Sequence, residues 1–221
     1  MPSRREPVVL VHGLWMVGFE LGVLRHRLQA RHGFDVHVFP YSSIQGHAQE
    51  IAEELVAFAD QCAGEGDRIH LVGHSLGGAF VYRALELALR KRAGNAVMLG
   101  APLNGSRAAN GASQIPLVKQ LLGPHVMQAL APASGRCWAC GPDRALGAIA
   151  GSRRLGLGQF FAQFDEDNDG TIAVTETVIP GLDDHIVLPH SHMGMLFADD
   201  VADQVAHFLR NGQFRRKADR E

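Results

Sequence analysis

Short apolar runs alternate with longer amphipathic stretches through the first half of the chain. Runs of roughly four to eight residues rich in valine, isoleucine and leucine are typical of buried strands, whereas apolar positions three or four apart are typical of a helix with one buried face. The pattern predicts strands at residues 8–11, 35–39, 69–72 and 96–99. It predicts helices at residues 19–31, at 48–58 after a helix start at 42–45, and at 76–91.

This alternation of strand and helix predicts an α/β fold. Strands that alternate with helices form a mostly parallel sheet with helices on both faces, and the crossovers between them are right-handed. Further strands are expected at residues 146–150 and 186–188. A final helix is expected to bury Val201, Val205, Phe208 and Leu209 on one face.

Residues 103–143 break the pattern, with scattered glycine, proline and alanine and one helix-like piece at 117–130. In a parallel sheet, an insertion after a strand lies over the edge formed by the carboxyl ends of the strands. We therefore predict that this stretch forms a small cap within a single domain spanning residues 1–221. The alternative is a surface loop that only packs against the domain.

Composition and charge narrow the classes of protein and of partner. The chain has 221 residues, 46% hydrophobic and 20% charged, with a formal net charge of −2. These values suit one compact domain and give no reason to expect a nucleic-acid partner. The apolar runs are far shorter than the roughly 20 residues that span a bilayer, so stable membrane insertion is not expected.

The cysteines and the amino-terminal sequence give indications of the cellular compartment in which the protein works. An odd count of three cysteines argues against a disulfide framework. Cys137 and Cys140 form a C-x-x-C pair that lacks both a second pair for zinc and a βαβ setting for redox chemistry, so we interpret them as ordinary cysteines. The apolar run at 8–11 is too short for a signal peptide, so the cytoplasm is the default location, and a secreted mature form stays open. The oligomeric state is left open.

The most informative segment is Gly-His-Ser-Leu-Gly-Gly at residues 73–78. It contains G-x-S-x-G between a predicted strand and a predicted helix. In that setting the serine sits on a strained turn, and its hydroxyl projects above the sheet at the positive end of the helix. Ser75 is therefore the candidate nucleophile.

A serine nucleophile needs a histidine as base and a carboxylate to orient that histidine. His192 follows the last predicted strand, in the loop that enters the final helix. His190 is the rival in the same loop, whereas His185 precedes that strand. Asp169, directly before Gly170 in a polar turn, is the preferred acid. The other carboxylates between serine and histidine are Asp143, Asp165, Asp167, Asp183 and Asp184.

Two backbone groups are candidate donors to a developing oxyanion. Residues 9–15 read as a strand followed by His-Gly, so the N–H of Leu14 is one candidate and the N–H of Leu76, after the serine, is the other. Trp15 and Phe19 are candidate walls of an apolar substrate pocket, and the alternative is that they pack in the core.

Five short segments occur in order along the chain: VHG at 11–13, GHSLGG at 73–78, GAP at 100–102, NDGT at 168–171 and SHMG at 191–194. Together they resemble a bacterial lipase or esterase of the α/β-hydrolase fold, and the likeness runs from Val8 to about Leu209. The resemblance implies that His192 is the base and Asp169 the acid.

This resemblance also implies an activity. It implies a serine hydrolase that cleaves carboxylic esters through a Ser-His-Asp triad and an acyl-enzyme, without a cofactor, on a small acyl ester or a lipid. Thioesterase, lactonase and amidase activities use the same residues and stay open. A catalytically silent binding protein of the same fold is the hypothesis from another class.

Two segments also suggest metal ligands. Residues 165–176 fit the EF-hand calcium loop position for position. However, residues 171–178 have the β-branched composition of extended chain rather than a flanking helix, and Asp169 cannot easily serve both a metal and His192. Asp183, Asp184, His185, His190 and His192 are the residue types that bind zinc, without a known spacing. We expect no metal at either place.

Overall fold

A parallel sheet forms the centre of the protein. The structure is a computed structural model that describes residues 5–64, 68–87, 93–116, 122, 126–131 and 144–216. Its strands are β1 (Pro7–Val11), β2 (Asp35–Val38), β3 (Ile69–His74), β4 (Ala93–Leu99), β5 (Leu146–Gly151) and β6 (Asp184–Leu188). Within these residues the strands form one six-stranded sheet of order β2-β1-β3-β4-β5-β6, every pair being parallel. The predicted α/β fold is confirmed.

Helices cover both faces of this sheet. They are α1 (Gly22–Ala30), α2 (Ala48–Cys62), α3 (Leu76–Glu86), α4 (Arg107–Ala112) and α5 (Asp199–Asn211). Short 3₁₀ turns lie at Phe19–Leu21, Leu157–Phe160, Val174–Thr177 and Gly194–Phe197. Among the helices that the structure describes, none combines the length and the apolar character needed to cross a bilayer.

Each strand of the centre contributes to two cores, because successive side chains of a strand point to opposite faces. Val9 and Val11 of β1 pack in the core formed with α2 and α3. Val8 and Leu10 pack in the core formed with α1 and α5. Both faces of β1 are therefore buried, which explains why its sequence is a continuous apolar run rather than an alternating one.

The structure differs from the predicted elements at several places. The helix expected from residue 42 begins instead at Ala48, and the Ser43 hydroxyl accepts a hydrogen bond from the Trp15 N–H at 2.9 Å. The helix expected from Phe19 begins with a 3₁₀ turn, and α1 itself starts at Gly22. His185 lies inside β6 rather than before it.

The predicted cap is described only in part. Residues 103–116, 122 and 126–131 are described, and α4 is among them. The helix predicted at 76–91 ends at Glu86, with Leu87 as its C-cap. Cys137 and Cys140, much of the helix predicted at 117–130, and residues 88–91 lie outside the described residues. The cap and the single-domain boundary therefore stay predictions.

The strand order determines where a ligand can bind. The chain leaves β1 for β2 on one side and then crosses back to β3 on the other side. In open α/β sheets, ligands bind in the crevice at such a reversal, beyond the carboxyl ends of the strands. The loop after β1 and Ser75 after β3 both lie at this crevice.

Candidate active site

Ser75 occupies a strained backbone turn between β3 and α3. Its φ of 54° and ψ of −125° lie in a region that side-chain-bearing residues rarely adopt. The turn is held at both ends: the Ser75 N–H donates to the Leu99 carbonyl at 2.9 Å, and the Gly78 N–H donates to the Ser75 carbonyl at 2.9 Å. The fold therefore stabilises the conformation that the G-x-S-x-G segment predicts.

The start of α3 also lies unusually close to the neighbouring strand. A Cβ placed on Gly77 would lie 2.3 Å from the carbonyl oxygens of both Val11 and His12. Such a separation is not tolerated between a side chain and backbone, so only glycine fits there. This close approach brings the loop after β1 next to Ser75.

Asp169 and His192 form a buried pair. The Asp169 Oδ2 lies 2.7 Å from the His192 Nδ1, and the two residues are 1% and 7% exposed. Because a carboxylate only accepts hydrogen bonds, the proton of the neutral ring is on Nδ1, and Nε2 carries a lone pair. Asp169 and His192, expected as partners from their sequence motifs, are in direct contact in the structure.

Local hydrogen bonds fix the orientation of the Asp169 carboxylate. Its Oδ1 accepts from the N–H groups of Thr171 at 2.9 Å and Ile172 at 2.7 Å. The His192 N–H in turn donates to the Asp169 carbonyl at 2.9 Å. With both oxygens engaged, the carboxylate has one orientation toward the His192 ring.

His74 is a neighbour that the sequence analysis missed. Its Nε2 lies 3.0 Å from the His192 carbonyl oxygen, and the two ring centroids are 4.7 Å apart. Because a carbonyl oxygen only accepts hydrogen bonds, the proton of the His74 ring is on Nε2. The buried Nδ1 of His74 has no hydrogen-bond partner among the residues that the structure describes. Burial chiefly, with the nearby charges of His192 and His12, lowers the pKa of His74 to about 3. The only sequence signal was its place beside Ser75 in a buried strand.

The loop after β1 is braced from the connection between β2 and α2. The His12 ring stacks on Tyr41 at 4.2 Å, and the Tyr41 hydroxyl donates to the His12 carbonyl at 2.7 Å. Trp15, with a φ of 58°, donates its N–H to the Ser43 hydroxyl. Tyr41 and Ser43 were also missed from the sequence, because nothing local shows that they face this loop.

A cavity of about 280 Å³ opens beside these residues. Ser75, His192, Leu14, Leu76 and Trp15 all line it, so the proposed nucleophile, base and oxyanion donors share one space.

Phe19 is the exception, and its assignment to the pocket wall is corrected. It is 89% exposed and does not belong to the described lining of the cavity. The left-handed turn at Gly18, with a φ of 89°, precedes the 3₁₀ turn in which Phe19 lies on the surface.

The rival histidines have other partners. The His190 Nε2 lies 2.7 Å from an Asp200 oxygen at the surface. The His185 Nε2 lies 2.9 Å from the Thr177 hydroxyl. Burial lowers the pKa of His185. Neither ring belongs to the described lining of the cavity.

The rival carboxylates are also placed elsewhere. Asp183 accepts from the Leu146 N–H at 2.7 Å, and Asp184 accepts from the Phe214 N–H at 2.7 Å. Asp165 and Asp167 are exposed to solvent. Asp143 lies outside the described residues.

Two acidic side chains of the loop that fits the calcium pattern, Asp169 and Glu176, are engaged by the protein itself. Glu176 accepts from the Arg107 N–H at 2.7 Å and from the Ala173 N–H at 2.9 Å. A 3₁₀ turn, Val174–Thr177, stands where a flanking α-helix would be needed. In the part of the chain that the structure describes, no three histidine, cysteine, aspartate or glutamate side chains are grouped to hold a metal ion.

Comparisons with known proteins concern the whole domain. The sequence pattern of the family described as the alpha/beta hydrolase family matches residues 8–209. No curated protein sequence matches the chain.

Solved structures share the fold at low identity. The mature lipase BlEst2 of Bacillus licheniformis is 18% identical over 89% of this chain and 88% of its own, with a TM-score of 0.68. Phospholipase PlaB from Legionella pneumophila is 17% identical over 93% of this chain and 60% of its own, with a TM-score of 0.70. A metagenomic carboxyl esterase is 20% identical over 87% of this chain and 66% of its own, with a TM-score of 0.63.

Proposed function

The chain belongs to the alpha/beta hydrolase family, and we propose that it is a serine hydrolase that cleaves carboxylic esters. One observation carries the proposal. His192, whose Nδ1 lies 2.7 Å from the buried Asp169 carboxylate, borders the same cavity as a serine held in strained backbone. In this proposal Ser75 is the nucleophile, His192 the general base and Asp169 the residue that orients the base.

Acylation begins when the Ser75 Oγ attacks the ester carbonyl carbon. The hydroxyl proton passes to the His192 Nε2, and the carbonyl π electrons move onto the oxygen. The N–H groups of Leu14 and Leu76 donate to this oxyanion, and donors fixed before the reaction stabilise it more than water can. The bond from the carbonyl carbon to the leaving oxygen then breaks, and the alcohol takes the proton from His192.

Deacylation repeats these steps with water as the nucleophile. Water attacks the Ser75 ester while its proton passes to the His192 Nε2, and the oxyanion forms at the same two N–H groups. The bond to the Ser75 Oγ then breaks, and the serine recovers its proton from His192. The sum is one ester and one water converted to one acid and one alcohol.

The proposal is tested with a fluorophosphonate probe and a p-nitrophenyl ester. The protein is expected to react covalently with the probe, and Ser75→Ala is expected to abolish labelling. The same substitution should lower kcat by on the order of 10⁴-fold, because the nucleophile is removed. Ser113→Ala is the matched control, since Ser113 lies outside the described lining of the cavity.

The two possible failures have different meanings. Labelling that persists in Ser75→Ala would show that another residue is the nucleophile. No labelling of the folded protein, together with no ester hydrolysis, would favour a silent binding protein of the same fold.

A further inference from the structure

The cavity beside Ser75 has a mostly apolar wall. Aliphatic and aromatic side chains from separate parts of the fold form it, among them Leu76, Pro102, Leu122, Val126, Phe161 and Ile172. The polar side chains in its described lining are those of Ser75, Ser106, Thr171 and His192. A wall of this kind favours an apolar part of a substrate, because burying a charged or polar group there would cost its hydration.

One face of α4 contributes three alanines to this wall. Ala108, Ala109 and Ala112 all line the cavity. Their spacing places them on neighbouring positions of one helical face. A methyl group is the smallest side chain that a helix can present apart from glycine, so this face leaves the cavity as wide as a helix at that position allows.

The position of α4 itself is fixed by close packing. A Cβ placed on Gly111 would lie 1.9 Å from the Phe161 carbonyl oxygen, so the helix backbone lies directly against the segment around Phe161. The Ser106 hydroxyl accepts from the Ala109 N–H at 3.1 Å, and Glu176 accepts from the Arg107 N–H. The helix is held at both its beginning and its end, so its side chains determine the width of the cavity.

The volume indicates which acyl chains fit. The cavity measures about 280 Å³. If a methylene group takes about the volume of a water molecule in the liquid, roughly 30 Å³, the cavity has room for roughly nine such groups. An acetyl group would leave most of it empty, whereas an acyl chain of medium length would fill it.

We infer that this cavity binds the acyl chain of the substrate, that it suits chains of roughly six to ten carbons, and that the α4 alanines set its width. The inference rests on the proposed ester hydrolysis. The acyl group stays attached to Ser75 through both halves of that reaction, so an apolar wall beside Ser75 stabilises both transition states.

Leu130 and Ser106 lie between this pocket and a second cavity of about 380 Å³, since both residues line both cavities. Arg107 forms ion pairs there with Glu166 at 2.6 Å and with Glu176 at 3.1 Å. An acyl chain that passed Leu130 would meet these charges, so a long chain is not accommodated in that direction.

The test compares kcat/KM for p-nitrophenyl esters from acetate to palmitate. The unaltered protein is expected to prefer chains of roughly six to ten carbons. Ala109→Leu should lower the ratio of decanoate to acetate hydrolysis by roughly 10- to 100-fold, since the larger side chain takes the space of several methylenes. Asn110→Leu adds the same side chain at the next position of α4, where the residue is exposed, and is the matched control.

A second variant tests this boundary of the pocket. Leu130→Ala removes a side chain that separates the pocket from the charges of Arg107 and Glu166, so the ratio of decanoate to hexanoate hydrolysis is expected to fall by several-fold. Alkyl acetates from ethyl to decyl, compared in the same assays, show whether the alcohol chain occupies the cavity instead. Thermal melting reports whether each variant is folded.

The outcomes separate this inference from the function it rests on. If no ester of any length is hydrolysed and Ser75 is not labelled, the proposed function fails. If esters are hydrolysed but neither variant moves the acyl-chain preference, the acyl pocket is overturned. It is also overturned if Ala109→Leu changes the alkyl acetate series and leaves the acyl series unmoved.

Discussion

His74 illustrates how a single side chain supports the site without facing the cavity. It is buried at the end of β3, and its Nε2–H donates to the His192 carbonyl. Burial keeps this ring neutral, since its pKa is lowered to about 3. A neutral ring can remain beside the charged form of His192 without electrostatic repulsion between the two.

This lowered pKa predicts a pH-dependent stability. An unfolded histidine titrates near pH 6.5, whereas folded His74 stays neutral down to about pH 3. Below pH 6.5 the unfolded chain therefore binds a proton that the folded protein does not, so stability present above pH 6.5 is lost as the pH falls. Between pH 7.5 and 4.5 the loss from this group is on the order of 2–3 kcal/mol.

The measurement is urea unfolding of the protein and of His74→Phe at both pH values. The variant lacks the titrating ring, so its free energy of unfolding should fall by less between pH 7.5 and 4.5. Carboxylates contribute equally to both proteins and cancel in the comparison. An identical fall in the two proteins would contradict the assignment.

At the scale of elements, the Glu176 side chain joins the loop at residues 165–176 to α4. Glu176 is buried, and its two carboxylate oxygens accept hydrogen bonds from Arg107 and Ala173. The loop that presents Asp169 and the helix that lines the cavity are thus tied together. Glu176, the last position of the calcium-loop pattern, is thus engaged by Arg107 and Ala173.

Glu176→Gln is expected to destabilise the protein by roughly 1–3 kcal/mol. The amide has one acceptor oxygen, so a buried N–H loses its partner when the carboxylate is replaced. Glu166→Gln is the control, because Glu166 pairs with the same Arg107 at a more exposed position, where an ion pair is worth about 0–1 kcal/mol. Equal losses of stability in urea unfolding would show that burial of Glu176 is not the decisive factor.

At the scale of the whole molecule, the sheet assembles the site from distant parts of the chain. Ser75 follows β3, Asp169 lies between β5 and β6, and His192 follows β6. All these strands are parallel, so their carboxyl ends lie at one edge. The reversal of strand order at β1 opens the crevice at this edge.

Asp169→Asn tests the contact that this assembly creates. We expect kcat to fall by roughly 10³- to 10⁴-fold, because an amide nitrogen facing Nδ1 favours the tautomer with its proton on Nε2. Asp167→Asn, an exposed position two residues earlier, is the control. If kcat fell further in Asp183→Asn or Asp184→Asn than in Asp169→Asn, that residue would be the one that orients the base.

Much of the fold was predictable from the sequence, because its signals are local. The run at Val8–Val11 and the GHSLGG turn each specify their backbone within a few residues. The chain order of Ser75, Asp169 and His192 was visible as well. The later start of α2 was not, because the Ser43 hydroxyl is engaged by the Trp15 N–H, 28 residues away in sequence.

The sequence by itself therefore determined the strands, the strained serine turn and the partners proposed for Ser75. Only the tertiary structure decided that His74 contacts the His192 carbonyl, 118 residues later, that Phe19 lies on the surface, and that α4 borders the cavity. The physical reason is the range of the interactions. Periodicity and turn chemistry act between neighbours in the chain, whereas packing and burial depend on which elements meet after the sheet has formed.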